Sequence, residues 1–236
     1  MTKTRWTFAP FVALLASLSL AALAADAPES WDGLVEVKAK RMDAVFLLPG
    51  ADFRPYTKVM IDPTEVAFHK DWMKNINQSS VGVSRDVTQA DAEKIASTAR
   101  SGFADVFTEV FQKAGYQVVT APGPDVLRLR PAVFNLYINA PDTMSAGRSR
   151  TYTMEAGEAS LLLEVRDSTT GALLGRVVDR RETQGTGGFQ VSNSVTNLSD
   201  FRMLFKQWAG ICTKGMDELK AHSPVPADLK PKQKID

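Results

Sequence analysis

The chain has 236 residues, 44% of them hydrophobic and 23% charged, a globular composition that excludes collagen-like, low-complexity and intrinsically disordered chains. Its formal net charge of +1 gives no overall electrostatic case for binding nucleic acid or an anionic membrane. The single cysteine, Cys212, excludes an intramolecular disulfide, so stability has to come from the core.

Lys3 and Arg5 precede an apolar run from Phe8 to Leu23, and Ala22-Leu23-Ala24 places small residues where a signal peptidase reads. This pattern predicts a secretory signal peptide over residues 1–24. An uncleaved anchor is the competing reading, because about 16 apolar residues is near the lower limit for a spanning helix. Pro10 and the alanine-rich end favour cleavage, and no cysteine near that site offers a lipid anchor. Cleavage removes two basic residues and no acid, leaving 26 Lys+Arg against 27 Asp+Glu. The expected location is the periplasm or the medium, with no stable membrane anchor after cleavage. At this length, residues 25–220 are expected to form one domain.

In the mature part, Lys38-Ala39-Lys40-Arg41 is a short basic run, either a contact for an anionic partner or a solvated edge before a strand. Met42 to Leu48 is apolar and bounded by Pro49-Gly50, which predicts a strand. Residues 49–56 read as a loop. Lys58 to Asp62 reads as a second strand, cut by Pro63. Thr64 to Trp72 fits a strand or a short helix equally well, and Asn75 to Asp86 reads as an exposed loop.

Thr88 with Asp91 three residues on is a capping-box pattern. The apolar positions Ile95, Ala99, Phe103, Val106, Phe107, Val110 and Phe111 then trace one helical stripe, which Gly115 stops. The spacing predicts a helix over 88–114. An aromatic stripe can line a lipid cavity, but at this spacing it reads as core. Tyr116 to Thr120 is a short strand, and Pro122-Gly123-Pro124-Asp125 a turn. From 126 to 138 the residues alternate, with Leu127 and Leu129 opposite Arg128 and Arg130. The parity changes after Pro131, predicting a β-bulge or bend at 130–132, on an edge or at a break in pairing. Residues 139–150 are polar, and Arg148 and Arg150 there can grip phosphate or carboxylate groups.

Alternation continues over 158–166, turns at Asp167 to Gly171, and returns over 173–182. On the return strand the inward parity is ambiguous, and its polar set, Arg176, Asp179, Arg180, Arg181 and Glu182, can pair across to Glu164 and Arg166. Gly185-Thr186-Gly187-Gly188 lacks the Lys-Ser/Thr of a phosphate loop, so 185–198 reads as a flexible loop. Ser199 is placed to cap a second helix over 199–219, whose apolar face holds Phe201, Phe205, Trp208, Ile211 and Cys212. Cys212 on that stripe reads as a buried, inert thiol. The prolines and lysines of 221–236 predict a disordered tail.

Several stretches together resemble the bacterial domain-of-unknown-function 3313 family: Trp31-Asp32-Gly33-Leu34, Leu48-Pro49-Gly50-Ala51-Asp52-Phe53, Tyr56-Thr57-Lys58-Val59, and Ile61-Asp62-Pro63 with Glu65-Val66. Further on, Lys113-Ala114-Gly115-Tyr116, Pro122 to Leu127 and Asp167 to Gly171 fit as well, so the resemblance spans about residues 31–220. It implies an exported protein. Many members are lipoproteins, whereas this chain lacks their lipidated cysteine. It implies no established reaction, so no catalytic residue carries over.

The residues themselves offer no catalytic set. Apart from the tail residue His222, His69 is the only histidine, and no nucleophile elbow accompanies it. Clusters of Cys and His for zinc are missing, and no cofactor motif is present. The fold expected is α+β: a mostly antiparallel sheet with two amphipathic helices packed on one face. The leading expectation is a non-enzymatic periplasmic binding or assembly factor, meeting an envelope protein or polymer through Arg128, Arg130, Arg166, Arg176 and Arg180, with Arg148 and Arg150 nearby. The rival is a carrier of a small apolar ligand or lipid, with a cavity between sheet and helices and 185–198 as lid. A hydrolase built around His69 is a third possibility.

Overall fold

The structure is a computed structural model that describes residues 30–79, 86–138, 151–153, 157–183, 190–192 and 194–235. β1 (Ser30–Trp31) and β2 (Leu34–Val37) make a tight hairpin through Asp32 and Gly33, which adopt φ values of 56 and 80. β3 (Ala44–Leu47) follows, then β4 (Lys58–Ile61) and β5 (Glu65–Phe68). α1 (Trp72–Ser79) occupies part of the stretch expected to be an exposed loop. Tertiary contacts make that difference. Trp72 stacks on Phe68 with ring centres 4.2 Å apart, and its indole N–H donates to the Ile138 carbonyl at 2.9 Å. Ile76 is buried on the same face.

α2 (Gln89–Lys113) starts where the sequence places it. The Asp91 N–H donates to Thr88 Oγ1 and the Thr88 N–H returns to Asp91 Oδ2 at 2.9 Å, a closed capping box worth about 1 kcal/mol. Beyond it come β6 (Gln117–Val118), β7 (Val126–Ile138), β8 (Thr151–Thr153), β9 (Gly157–Asp167), β10 (Leu173–Glu182), β11 (Gln190–Ser192) and α3 (Ser194–Ala221). α3 begins before Ser199, which therefore lies inside the helix and does not cap it. The expected 185–198 loop is likewise shortened by β11 and by the first turn of α3; its remainder lies outside the described residues.

Among the described residues one sheet has nine strands in the order β1-β2-β3-β10-β9-β7-β4-β6, and β5 lies beside the second half of β7. The pairs β4–β6, β4–β7 and β5–β7 are parallel and the others antiparallel. The expected α+β class is the observed one. β8 and β11 form a separate antiparallel pair. α2 and α3 pack together on one face of the sheet through a stack of rings: Phe103 lies 3.9 Å from Phe107 and meets Phe205 edge-on at 5.2 Å. Phe103, Phe107, Phe111, Phe205 and Trp208 are fully buried. At about 1.5–3 kcal/mol per large apolar side chain, this layer is a major stabilising contribution.

No bulge lies at Pro131, but the expected break in pairing does, between the end of β4 and the start of β5. Pro131 stays in phase, opposite Leu163, and the register shift lies between Phe134 and Tyr137, around Asn135 with φ 50. Asparagine tolerates that left-handed conformation. Pro131 is harmless because of what it faces. The Leu129 carbonyl accepts the Asp62 N–H from the β4 side, so strand alternation aims the Pro131 nitrogen at the break between β4 and β5, where no ladder bond is lost.

The disordered tail is also overturned. Residues 222–235 run back along the sheet: Gly50 N–H donates to the Val225 carbonyl, Val225 N–H to Ala51, Lys38 N–H to Gln233, and Lys232 N–H to Glu36. Val225 and Leu229 are buried, and Ile235 packs against the core. This segment's few apolar groups are spaced to fill a gap that only the folded domain creates.

Candidate functional site

The arginines singled out from the sequence lie on the sheet face opposite the helices, in a connected ion-pair row. Arg128 Nε sits 3.0 Å from Asp62, and Arg130 reaches Asp62 at 3.5 Å and Glu164 at 3.8 Å. Arg166 pairs with Glu164 at 2.9 Å and donates to the Gly171 carbonyl. Arg180 pairs with Glu158. Arg176 is no surface residue: its side chain is 5% exposed, lies 3.9 Å under the Trp31 ring, and pairs with Asp32 and Glu164 at 2.8 Å each. Its Nε and Nη1 have no hydrogen-bond acceptor among the described residues, and the Trp31 π face supplies part of what they lack. Burial pushes the Glu164 carboxyl up, but the hydrogen bonds from Arg176 and Arg166 outweigh it and hold it below its ordinary value. Arg148 and Arg150 lie outside the described residues. Thus the row is spent largely on its own carboxylates, and exposed pairs of this kind contribute little individually.

Asp179 resolves the ambiguous parity of β10. It is 2% exposed and faces the helices. Its Oδ2 accepts the Trp208 indole N–H at 2.7 Å and Arg181 Nε at 2.6 Å, while Oδ1 accepts the Asp43 N–H at 3.0 Å. This carboxylate ties α3 to β10 and to the turn before β3.

Beside it the sheet and helices part. A cavity of about 420 Å³ opens between the inner face of β2, β3, β9 and β10, the end of α2, the last third of α3 and the returning C-terminal segment. Its walls are apolar: Val45, Leu47, Leu163 and Val177 from the sheet, Phe111 from α2, and Met216 from α3. Val45, Val177, Ile211 and Leu219 are only half-buried although they sit at the sheet–helix interface, because the cavity admits solvent to them. Gly215 is one cause of the gap. It lines the cavity, and a Cβ built there would meet no atom within 4 Å. A glycine inside a helix costs about 1 kcal/mol relative to alanine, so Gly215 was the sequence signal for this opening.

Cys212 lines the same space. Burial, and then the Asp179 charge, push its thiol up to about 12, so at neutral pH it is a protonated, weakly nucleophilic group. Around the mouth stand Lys38, Lys40 and Arg41 from the β2–β3 loop, Lys214 and Glu218 from α3, and Lys234 from the C-terminal segment.

His69 lies away from this cavity. Its Nδ1 accepts the Asp71 N–H at 3.3 Å, and its ring meets Tyr137 edge-on; its carbonyl accepts the Trp72 N–H at 2.9 Å. Among the described residues no group of three His, Cys, Asp or Glu side chains is arranged to hold a metal. Nor is any helix there long and apolar enough to cross a membrane.

Residues 24–211 match the family model described as "Protein of unknown function (DUF3313)". The chain belongs to the DUF3313 family. No curated protein matches it. Solved structures similar to this DUF3313 chain include a PelC dodecamer from Paraburkholderia phytofirmans, at 14% identity and a TM-score of 0.34, covering 70% of this chain and 94% of that one. A minor lipoprotein from Acinetobacter baumannii is similar at 9% identity and a TM-score of 0.31, covering 68% and 92%. A Xanthomonas campestris protein of family DUF330 is similar at 11% identity and a TM-score of 0.33, covering 72% and 90%. The family match ends at Ile211, so Cys212, Gly215, Met216 and the C-terminal segment of the cavity wall lie beyond it.

Proposed function

We propose that this DUF3313 chain is a binding protein that holds a small apolar molecule between its sheet and its helices, on the outer side of the cytoplasmic membrane. The cavity carries the reading. Its volume of about 420 Å³ falls within the range of about 300–1,000 Å³ typical of small-molecule sites. Its walls are apolar, and half-buried apolar side chains border it. The chain's N-terminal Lys3, Arg5 and Phe8 to Leu23 pattern motivates the location. Docking of an envelope protein or polymer on the arginine face has less support, because Arg128, Arg130, Arg166, Arg176 and Arg180 are engaged by carboxylates of the same chain.

The test is titration with N-phenyl-1-naphthylamine, an uncharged apolar dye that brightens when it leaves water. The wild-type chain is expected to bind it saturably at one site. Gly215→Phe, which places a ring where no atom now stands, and Val177→Trp on the opposite wall are each expected to abolish that binding while circular dichroism and the urea midpoint stay near wild type. Saturable binding that survives both substitutions, or no saturable binding by the wild type, overturns the reading.

A further inference from the structure

The charge around the cavity mouth is lopsided. The whole chain is nearly neutral at +1, yet among the described residues the lysines, arginines and carboxylates at this rim are Lys38, Lys40, Arg41, Lys214 and Lys234 against one carboxylate, Glu218. Lys38, Lys40 and Arg41 come from a single short loop between β2 and β3, and all three are exposed. Neither they nor Lys214 have an ion-pair partner among the described residues, in contrast to the arginines of the opposite face. The acids nearest in sequence are already taken. Glu36 is buried and paired with Lys232, while the Asp43 carboxylate accepts the Arg180 N–H at 2.8 Å.

We propose that the occupant of the cavity is a single-chain amphiphile with an anionic headgroup, its alkyl chain against Val45, Leu163, Val177 and Met216 and its head held by Lys38, Lys40, Arg41 and Lys214. This rests on the apolar-ligand reading above and specifies its chemistry. The orientation follows from cost. A charge pushed into the aliphatic interior would be desolvated without a partner, whereas at the rim it keeps water and gains several cations. Low-dielectric walls beneath a ring of like charge focus the field on the opening. Lysines on flexible stems act as point charges for a carboxylate or a phosphate alike, and Arg41 adds a planar fork that either group accepts in bidentate fashion. A volume of about 420 Å³ is in the lower part of the range for small-molecule sites, which suits one chain.

The experiment is displacement of N-phenyl-1-naphthylamine by dodecanoate, dodecyl phosphate, dodecanol and dodecyltrimethylammonium, each below its micelle concentration. Dodecanoate and dodecyl phosphate are expected to displace the dye at about tenfold lower concentration than dodecanol, the sum of a few exposed charge contacts, with the ammonium compound weakest. Raising the salt concentration is expected to shrink that advantage. In the doubly substituted Lys40→Glu, Arg41→Glu chain the order, each compound measured relative to dodecanol in that same chain, is expected to reverse. Equal displacement by dodecanoate and dodecanol, or an anion preference that survives the double substitution, overturns the headgroup assignment and leaves the apolar site standing. Failure of the wild type to bind the dye removes both.

Discussion

Truncating Asp179 is the sharpest way to ask what seats α3 on the sheet. The Trp208 indole N–H is fully buried and has the Asp179 carboxylate as its acceptor at 2.7 Å. Asp179→Ala leaves that donor without a partner, at about 1–3 kcal/mol, and removes a bond to an ionised acceptor worth about 1.5–3 kcal/mol. Arg181 is 29% exposed and can turn to water, and Asp43 is exposed too, so their lost bonds add little. The expected loss is therefore about 3–5 kcal/mol, a large share of the 5–15 kcal/mol typical of a domain. Trp208→Phe keeps most of the ring volume and removes only the donor, while Asp179 retains two other partners. It is expected to cost about 1–2 kcal/mol. Because the two substitutions remove the same bond, the double variant is expected to be more stable than the sum by about 1–3 kcal/mol. Urea unfolding of the four proteins, with midpoints and slopes fitted together, measures the coupling. Strict additivity within 0.5 kcal/mol would refute the claim that this bond joins helix and sheet.

Gly157→Ala should be far more damaging than Gly33→Ala. A Cβ at Gly157 would stand 1.7 Å from the Tyr137 carbonyl oxygen at φ 151, whereas at Gly33 only the conformation, φ 80, resists it. The expected costs are about 3 kcal/mol or more against about 1 kcal/mol, read from thermal midpoints, and equal costs would contradict the close approach of β9 to β7. For Glu164, the folded-state pKa lies below its reference value of 4.5, so its ionised form stabilises the fold above that pH and the contribution is lost as pH falls through the folded value. The stability gap between wild type and Glu164→Gln should be full at pH 7 and close progressively below about pH 4.5; a gap independent of pH would argue against the Arg166–Glu164–Arg176 cluster. Removal of residues 222–236 should expose the buried Glu36 carboxylate and the places of Val225 and Leu229. A drop in the urea midpoint is expected, with faster exchange at the Lys38 and Gly50 amides; a truncated chain as stable as the full one would contradict the packed segment.

Local order could be read from the residues because short-range physics sets it. Thr88 and Asp91 close a capping box whatever surrounds them, the phenylalanine stripe fixes which side of α2 is buried, and Asp167 to Gly171 turns the chain between β9 and β10. Those features, and the family, needed one sequence. Arg128, Arg130, Arg166, Arg176 and Arg180 share one sheet face, but their pairing depends on strand register, and register puts Arg130, Glu164 and Arg176 side by side from three different strands. Pro131 pointed to a break in pairing because its missing donor was visible in the sequence, whereas which strands end and begin there was not.

The cavity lies at the far end of that scale. Its walls come from β2, β3, β9, β10, α2, α3 and the C-terminal segment, and its volume is set by how far apart they stand. Gly215 was the one local hint. The basic run at residues 38–41 could be read as solvated edge or as anion contact, and nothing local separates the two. The sequence by itself determined the class of fold, the helices with their buried faces, and the near-neutral charge. Tertiary structure alone decided that Asp179 and Arg176 lie inside, that the tail is ordered, and that the basic run borders an apolar cavity. Periodicity acts over a few residues, whereas a cavity and its rim exist only once strands and helices distant in sequence have packed.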